Sequence, residues 1–272
     1  MLMAQLNGMR VDARQAVRGD PHICPGCRDP VVLHRGMIIA AHFKHKAEKL
    51  CDWARGETSA HLGAKDLMRD EFERRGVRVE TEFIVDTMPG DRRADVMVWT
   101  PGGSMVAFEL QHASIDPRHI AERVASYARV GIRQCWIPFL SDVVWDKGHK
   151  TEAGWTMSGY TPKPFEVWLY RMHGSAGTWM FDRRDGSFWL AALQPHKLFK
   201  DYRIYYDESG EERSSGGYPY EAARKRDLVL SGPHPLSDLL VDRLEIRSGR
   251  WKKVPWPKMR IACLRVGQSR GD

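Results

Sequence analysis

A spaced set of polar residues between Glu57 and Gln111 has the types needed for metal-assisted attack on a phosphate ester. Glu57, His61 and Lys65 follow one another at intervals of four, which on a helix lines them along one side. Asp95 lies in Arg93-Ala94-Asp95-Val96-Met97-Val98. Glu109 and Gln111 lie in Val106-Ala107-Phe108-Glu109-Leu110-Gln111. Hydrolysing a phosphodiester requires an activated water and relief of charge on the pentavalent phosphate. Two carboxylates on neighbouring strands can hold Mg²⁺ or Mn²⁺ through oxygen. The metal then lowers the pKa of its water and polarises the phosphoryl oxygen. Asp95 and Glu109 are the expected ligands, with Glu57 as a third acid, direct or through water. Gln111 carries no charge and can orient water or a phosphate oxygen, while Lys65 is the expected cation.

These residues need elements to position them. Ala60, Ala64, Leu67, Met68 and Phe72 recur at helical spacing, so Thr58 to Arg75 reads as a helix capped by Thr58 or Ser59 and stopped by Gly76. Val77 to Val85 alternates and reads as a strand. Arg93 to Trp99 and Met105 to Gln111 form a hairpin around Pro101-Gly102-Gly103. Side chains alternate along a strand, so Glu109 and Gln111 share a face, and Asp95 can meet them from the neighbouring strand. Val96, Val98, Val106, Phe108 and Leu110 describe buried strands, where an acid needs a partner. Asp116-Pro117 starts a second helix with Ile120, Val124 and Tyr127 inward, ended by Gly131. Ile132 to Leu140 is a fourth, apolar strand. Arg123 on the second helix is either a phosphate contact or a surface ion-pair partner.

A second constellation lies nearer the N-terminus. Cys24-Pro25-Gly26-Cys27 aims two thiols at one point, and His42, His45 and Cys51 follow. Structural zinc takes four nitrogen or sulfur ligands in a tetrahedron. Cys24 and Cys27 are the firm pair, and His42, His45 and Cys51 compete for the other places. The role would be structural, because so short a segment buries little without a metal. Between them, Val31-Val32-Leu33 and Met37-Ile38-Ile39 read as a hairpin around Arg35-Gly36.

The chain has 272 residues, 42% hydrophobic and 28% charged, with a net charge of +7 and a pI near 9.2. That is a soluble globular composition, and the basic excess suits DNA as a partner. His61 and Arg123 are the candidate DNA contacts. No apolar stretch is long enough to span a bilayer and no signal-peptide layout opens the chain, so the expected place is the cytoplasm, with no membrane partner. The 5 cysteines are an odd number, against a disulfide framework. Cys135 and Cys263 read as core or incidental residues.

Beyond about Trp145 the pattern changes. Phe165 to Tyr170 reads as a strand. Trp179-Met180-Phe181 and Ser187 to Leu190 flank a hairpin turn at Arg183-Arg184-Asp185-Gly186. Arg203 to Tyr206 reads as a strand, Asp207 to Gly217 as a polar loop and Leu236 to Leu244 as a short helix. The aromatics here read as the core of a β-rich region, rather than as stacking platforms for bases. The expected division is 1–55, an N-terminal zinc-finger-like module; 56–145, a catalytic core; and 146–272, a β-rich extension.

The order of helix acid, strand acid and Glu109-x-Gln111 resembles that of PD-(D/E)XK nucleases, with Gln111 where lysine usually sits. The run of Cys-Pro-x-Cys, His42-Phe43-x-His45-Lys46, Cys51, Glu57-Thr58, His61-Leu62 and Lys65 is similar to the competence protein CoiA family. Ala94-Asp95-Val96, Glu109-x-Gln111 with Ser114, and Arg123 with Tyr127 before Cys135-Trp136-Ile137 continue the pattern in order. The resemblance covers residues 20 to 140, and the C-terminal part is unmatched. It implies an α/β fold: a restriction-endonuclease-like (PD-(D/E)XK) core, an N-terminal zinc knuckle and a β-rich C-terminal extension. It implies a Mg²⁺- or Mn²⁺-dependent DNA endonuclease or exonuclease serving DNA processing, recombination, a mobile element or defence, with a helicase or recombination protein as a further partner. The alternative is a non-catalytic DNA-binding or recombination-accessory module that keeps the fold.

Overall fold

The computed structural model describes residues 1–46, 51, 53, 57–88 and 90–267. Strands β1 (Met3–Leu6) and β2 (Met9–Asp12) pair through Asn7-Gly8. Both turn residues have positive φ, 52° and 81°, the conformation that two-residue hairpins favour and Asn-Gly tolerates. Strand β3 (Val31–His34) pairs with β4 (His42–His45). The expected second arm, Met37–Ile39, is instead an exposed loop, with Met37 and Ile38 almost fully in solvent. Phe43 explains the difference: it lies opposite Leu33, and both are buried in a small core with Val31, Cys24 and Cys51. One inward aromatic at alternating spacing outweighs a run of apolar residues that has no face to bury.

The central part follows the expected order. Helix α1 (Ser59–Arg74) starts at Thr58, whose hydroxyl accepts from the His61 N–H at 3.2 Å. Strands β5 (Arg78–Val85), β6 (Arg92–Trp99) and β7 (Met105–Gln111) are antiparallel neighbours. Helix α2 (Pro117–Arg129), capped by Asp116, carries the chain over to β8 (Arg133–Pro138), which pairs parallel to β7. The sheet order is β5-β6-β7-β8. Ala64, Met68 and Phe72 of α1 pack on Val96, Val98, Val106 and Phe108. Tyr127 of α2 packs on Ala94, Met97 and Ala107.

The remainder holds α3 (Asp142–Lys147), β9 (His149–Thr151), β10 (Gly154–Tyr160), α4 (Pro164–His173), β11 (Thr178–Phe181), β12 (Phe188–Lys200), β13 (Arg203–Tyr206), β14 (Glu212–Ser215), β15 (Tyr218–His234), β16 (Leu239–Ile246), β17 (Gly249–Trp251), β18 (Val254–Trp256) and β19 (Met259–Val266). The expected strand at Phe165–Tyr170 lies in helix α4. Phe165, Trp168, Leu169 and Met172 form a helical stripe against Ile120 and Val124 of α2, and Glu166 accepts from the Lys163 N–H at 2.8 Å. Helical period and cap override aromatic β-propensity. The expected helix at Leu236–Leu244 is one 3₁₀ turn, Leu236–Asp238, followed by β16, which pairs with β19 along its length. The Asp207–Gly217 loop contains β14.

Strands β11, β12, β15, β10 and β9 form a five-stranded sheet. Its edge meets the end of β8, where the Leu140 N–H donates to the Phe181 carbonyl at 2.9 Å. Trp179, Phe181, Phe188, Leu239 and Leu264 complete the same core as α1 and the central sheet. Among the described residues no helix is long and apolar enough to cross a membrane.

Candidate functional site

A cleft opens where the central sheet loses its pairing. The β6–β7 ladder ends at Val96 opposite Phe108, one residue short of Asp95 and Glu109. On the other side the β5–β6 ladder pairs Thr81 with Val96 and Phe83 with Ala94, leaving out Glu82 and Asp95. Glu82 has φ 51°, a left-handed conformation unusual for a side-chain-bearing residue and frequent at functional sites. Asp95 thus sits at a break on both flanks, and its Oδ2 takes the Leu110 N–H at 2.8 Å in place of a ladder bond. The cleft has a volume of about 370 Å³, and Glu57, His61, Asp95, Glu109, Gln111 and Arg123 line it. A larger hollow of about 1070 Å³ lies in the N-terminal module. Among the described residues Asp20 is its sole acid, so the carboxylate chemistry is sought in the smaller cleft.

The carboxylates are already partnered. His61 stands between two of them, with Nδ1 3.3 Å from Glu57 Oε1 and Nε2 3.2 Å from Asp95 Oδ2. Glu109 Oε1 accepts from the Tyr127 hydroxyl at 2.6 Å, and Oε2 accepts from Arg123. Gln111 turns its amide to the Ala113 carbonyl at 2.6 Å. Lys65, expected in the cleft as the cation, is wholly buried behind it. Its ammonium donates to Glu57 and, at 2.6 Å, to Glu82. Glu82 also accepts from the Leu2 and Met3 N–H groups at 2.9 and 3.1 Å, which ties the N-terminal segment to the floor of the cleft.

Burial opposes charge on His61, but Asp95 and then Glu57 outweigh it and raise the imidazole to about 9. Burial likewise opposes charge on Asp95 and Glu57. The neighbouring His61 and Lys65 nonetheless hold both carboxyls well below the usual range. Burial raises Glu109, and the like charge of Asp95 adds to it against Arg123. The oxygen donors of Asp95, Glu109 and Gln111 suit a hard divalent cation. The expected three acids do not gather around one point, however. Among the described residues, the Cys/His set below is the sole group of three or more donors lying within 4.8 Å of one another. Glu57 reaches Asp95 through His61.

The N-terminal constellation is complete. The donor atoms of Cys24, Cys27, His45 and Cys51 all lie within 4.8 Å of one another. Cys24 Sγ is 3.7 Å from Cys51 Sγ, and Cys27 Sγ is 3.2 Å from His45 Nε2. Four such donors can hold a metal ion such as zinc. His42 is outside the set: its Nδ1 meets the Ala40 carbonyl at 2.7 Å and its ring stacks on His34. His42 and His45 lie on opposite faces of β4, so one of them at most could point at the thiols. Gly26 is required between the first two thiols, because a Cβ there would lie 2.1 Å from the Trp53 ring.

The sequence alone did not single out Glu82 or the contact of Tyr127 with Glu109. Glu82 sits in an ordinary polar alternation, Glu80-Thr81-Glu82. The usable signal was Lys65: on the inward side of a helix it needs more than one acid to balance its burial.

Two family models match the chain. "Competence protein CoiA, N-terminal domain" covers residues 6–54 and "Competence protein CoiA, nuclease-like domain" covers residues 57–180. No curated protein and no solved structure matches it.

Proposed function

Because the chain belongs to the competence protein CoiA family, we propose that it is a cytoplasmic deoxyribonuclease of the PD-(D/E)XK type, dependent on Mg²⁺ or Mn²⁺ and stabilised by structural zinc at Cys24, Cys27, His45 and Cys51. The observation that carries this reading is the broken ladder that opens Asp95 and Glu109 into one cleft beside α1. A divalent cation held by Asp95 and Glu109 would supply an activated water and polarise a phosphoryl oxygen. The chain's own residues do the rest. His61, charged at neutral pH, offsets the negative charge of Asp95 and Glu57 and puts a cation where Gln111 has none to give. Arg123, 28% exposed at the side chain, can leave Glu109 for a DNA phosphate, so it serves as counter-ion and then as DNA contact. Gln111 orients water or phosphate at the rim. Lys65 and Glu82 fix Glu57 from behind.

The second reading is a DNA-binding or recombination-accessory module that does not cut. Glu-x-Gln in place of Glu-x-Lys, together with a Glu109 carboxylate occupied by Tyr127 and Arg123, favours it. Cleavage of linear, single-stranded and branched DNAs with Mg²⁺ or Mn²⁺ separates the two, with Asp95→Ala and Glu109→Ala beside the wild type. Metal-dependent cutting lost in both variants with DNA affinity kept supports the nuclease. Binding without cutting in all three proteins supports the accessory reading.

A further inference from the structure

From Lys197 to Glu221 the chain forms one two-stranded arm in which no residue is buried. Strands β12 and β15 pair out to Lys200 opposite Tyr218, and β13 and β14 continue in the same register from Arg203 opposite Ser215. Between them lies an elbow at Asp201-Tyr202 and Gly216-Gly217. Gly216 has φ +97°, and a Cβ there would lie 1.9 Å from the Asp201 carbonyl oxygen, so the bend requires glycine. Beyond the elbow the chain returns at a turn where the Gly210 N–H donates to the Asp207 carbonyl at 2.9 Å.

The aromatics of the C-terminal part therefore divide. Phe165, Trp168, Trp179, Phe181 and Phe188 are core, as expected. Phe199, Tyr202, Ile204, Tyr205, Tyr206 and Tyr218 on the arm are each at least half exposed. A two-stranded hairpin wet on both faces is marginally stable by itself, and exposed apolar side chains on both of its faces, Ile204 and Tyr206 on one and Tyr205 on the other, leave area for a partner to cover. Tyrosine is the residue type most suited to one, with a large rigid area and a polar tip.

Charge identifies the occupant. At the tip, Arg213 pairs with Asp207 and Glu211. Glu208 and Glu212 have no ion pair among the described residues. At the root, Lys197 and Lys200, with Arg224 and Lys225 just behind the arm, likewise have no ion pair among the described residues and outnumber the two acids of that end, Glu221 opposite Lys197 and Asp201 at the elbow. A surface that follows a phosphate backbone is basic along its length; this arm has a basic excess at its root and an acidic excess at its tip. Such a polarity is complementary to itself when reversed, as an isologous two-fold contact requires.

We propose that the arm is a dimerisation element: two copies of this chain lay their arms antiparallel, each acidic tip on the other's basic root, with the tyrosines packed between. Sedimentation of the full chain tests it. The wild type is expected at twice the monomer mass. Glu208→Lys with Glu212→Lys, and separately Lys200→Glu with Arg224→Glu and Lys225→Glu, each place like charges at both contacts and should halve the mass. Both variants should keep the folded circular-dichroism spectrum, since no residue of the arm is buried. An equal mixture of the two variants restores both contacts at once and should return the doubled mass. A monomeric wild type, a dimer that survives both reversals, or a mixture that stays monomeric overturns the proposal. A monomeric wild type that loses DNA affinity on root reversal would assign the arm to nucleic acid instead.

Discussion

The Cys/His cluster and the acidic cleft are both groups of ligand-type residues, yet the fold treats them oppositely. At the N-terminus four donors converge within 4.8 Å of one another, two of them buried, and the ring beside them that is not needed is turned away. In the cleft the donors are spread. His61 separates Glu57 from Asp95, and Arg123 and Tyr127 occupy Glu109. A convergent set of four sulfur and nitrogen donors can hold a metal ion. A spread, partnered set is satisfied by the protein's own cations, which on the proposed function would give way to substrate and metal. That is the physical difference expected between a site built to hold a fold together and, on the proposed function, one built to act on a substrate.

The comparison predicts unequal dependence on metal. Chelation, or Cys24→Ser, should remove one zinc per chain and unfold the first 46 residues, because binding free energies at such sites are on the order of 10 kcal/mol. Metal content and hydrogen exchange of Ala4, Val31 and Phe43 read this directly. Unchanged protection after metal loss would sink the structural role. The cleft should behave otherwise. Asp95→Asn is expected to cost roughly 10³-fold in cleavage, about 4 kcal/mol in the barrier, with the melting temperature little changed and DNA affinity kept. A cleavage rate within a few fold of the wild type would remove Asp95 from the chemistry.

The elements of the central region were legible because each strand alternates and each helix carries its own cap, as Thr58 and Asp116 show. The spacing also singles out Asp95 and Glu109, and the structure brings both to one cleft. It could not place Lys65 or find Glu82, because burial behind a cleft is decided by packing from Leu2 and Met3, remote in the chain. In helix α4 the aromatics suggest a strand, while the i, i+3, i+4, i+7 stripe of Phe165, Trp168, Leu169 and Met172 decides for a helix. The Met37–Ile39 loop was misread because hydrophobicity without alternation does not choose a face. The exposed tyrosines of the arm have the same composition as core; only their missing neighbours reveal them.

Lys65 sharpens the comparison from the inside. Lys65→Met leaves Glu57 and Glu82 facing each other without the cation, and breaking a buried pair this way costs about 3–5 kcal/mol. Glu57 keeps His61, so Lys65→Met with Glu82→Gln removes the charge that Lys65 leaves without a side-chain cation and should recover part of the loss. Denaturant unfolding of the single and double variants measures the coupling. With the Glu82→Gln single variant measured beside them, a double variant destabilised by the sum of the two single effects would mean that the two residues act independently and that the floor of the cleft is not an ionic unit.

The smallest effect comes from the two histidines of β4. His45→Ala removes a donor from the convergent set and should weaken metal retention severely. His42→Ala removes one hydrogen bond to Ala40 and a ring stacked on His34, worth about 1 kcal/mol, and should leave one metal ion per chain. Titrating each variant with a competing chelator ranks them. A His42→Ala protein that releases its metal as readily as His45→Ala would mean that the strand can present either face to the thiols, and that convergence at Cys24, Cys27 and Cys51 is less determined by the β3–β4 register than the pairing of Leu33 with Phe43 requires.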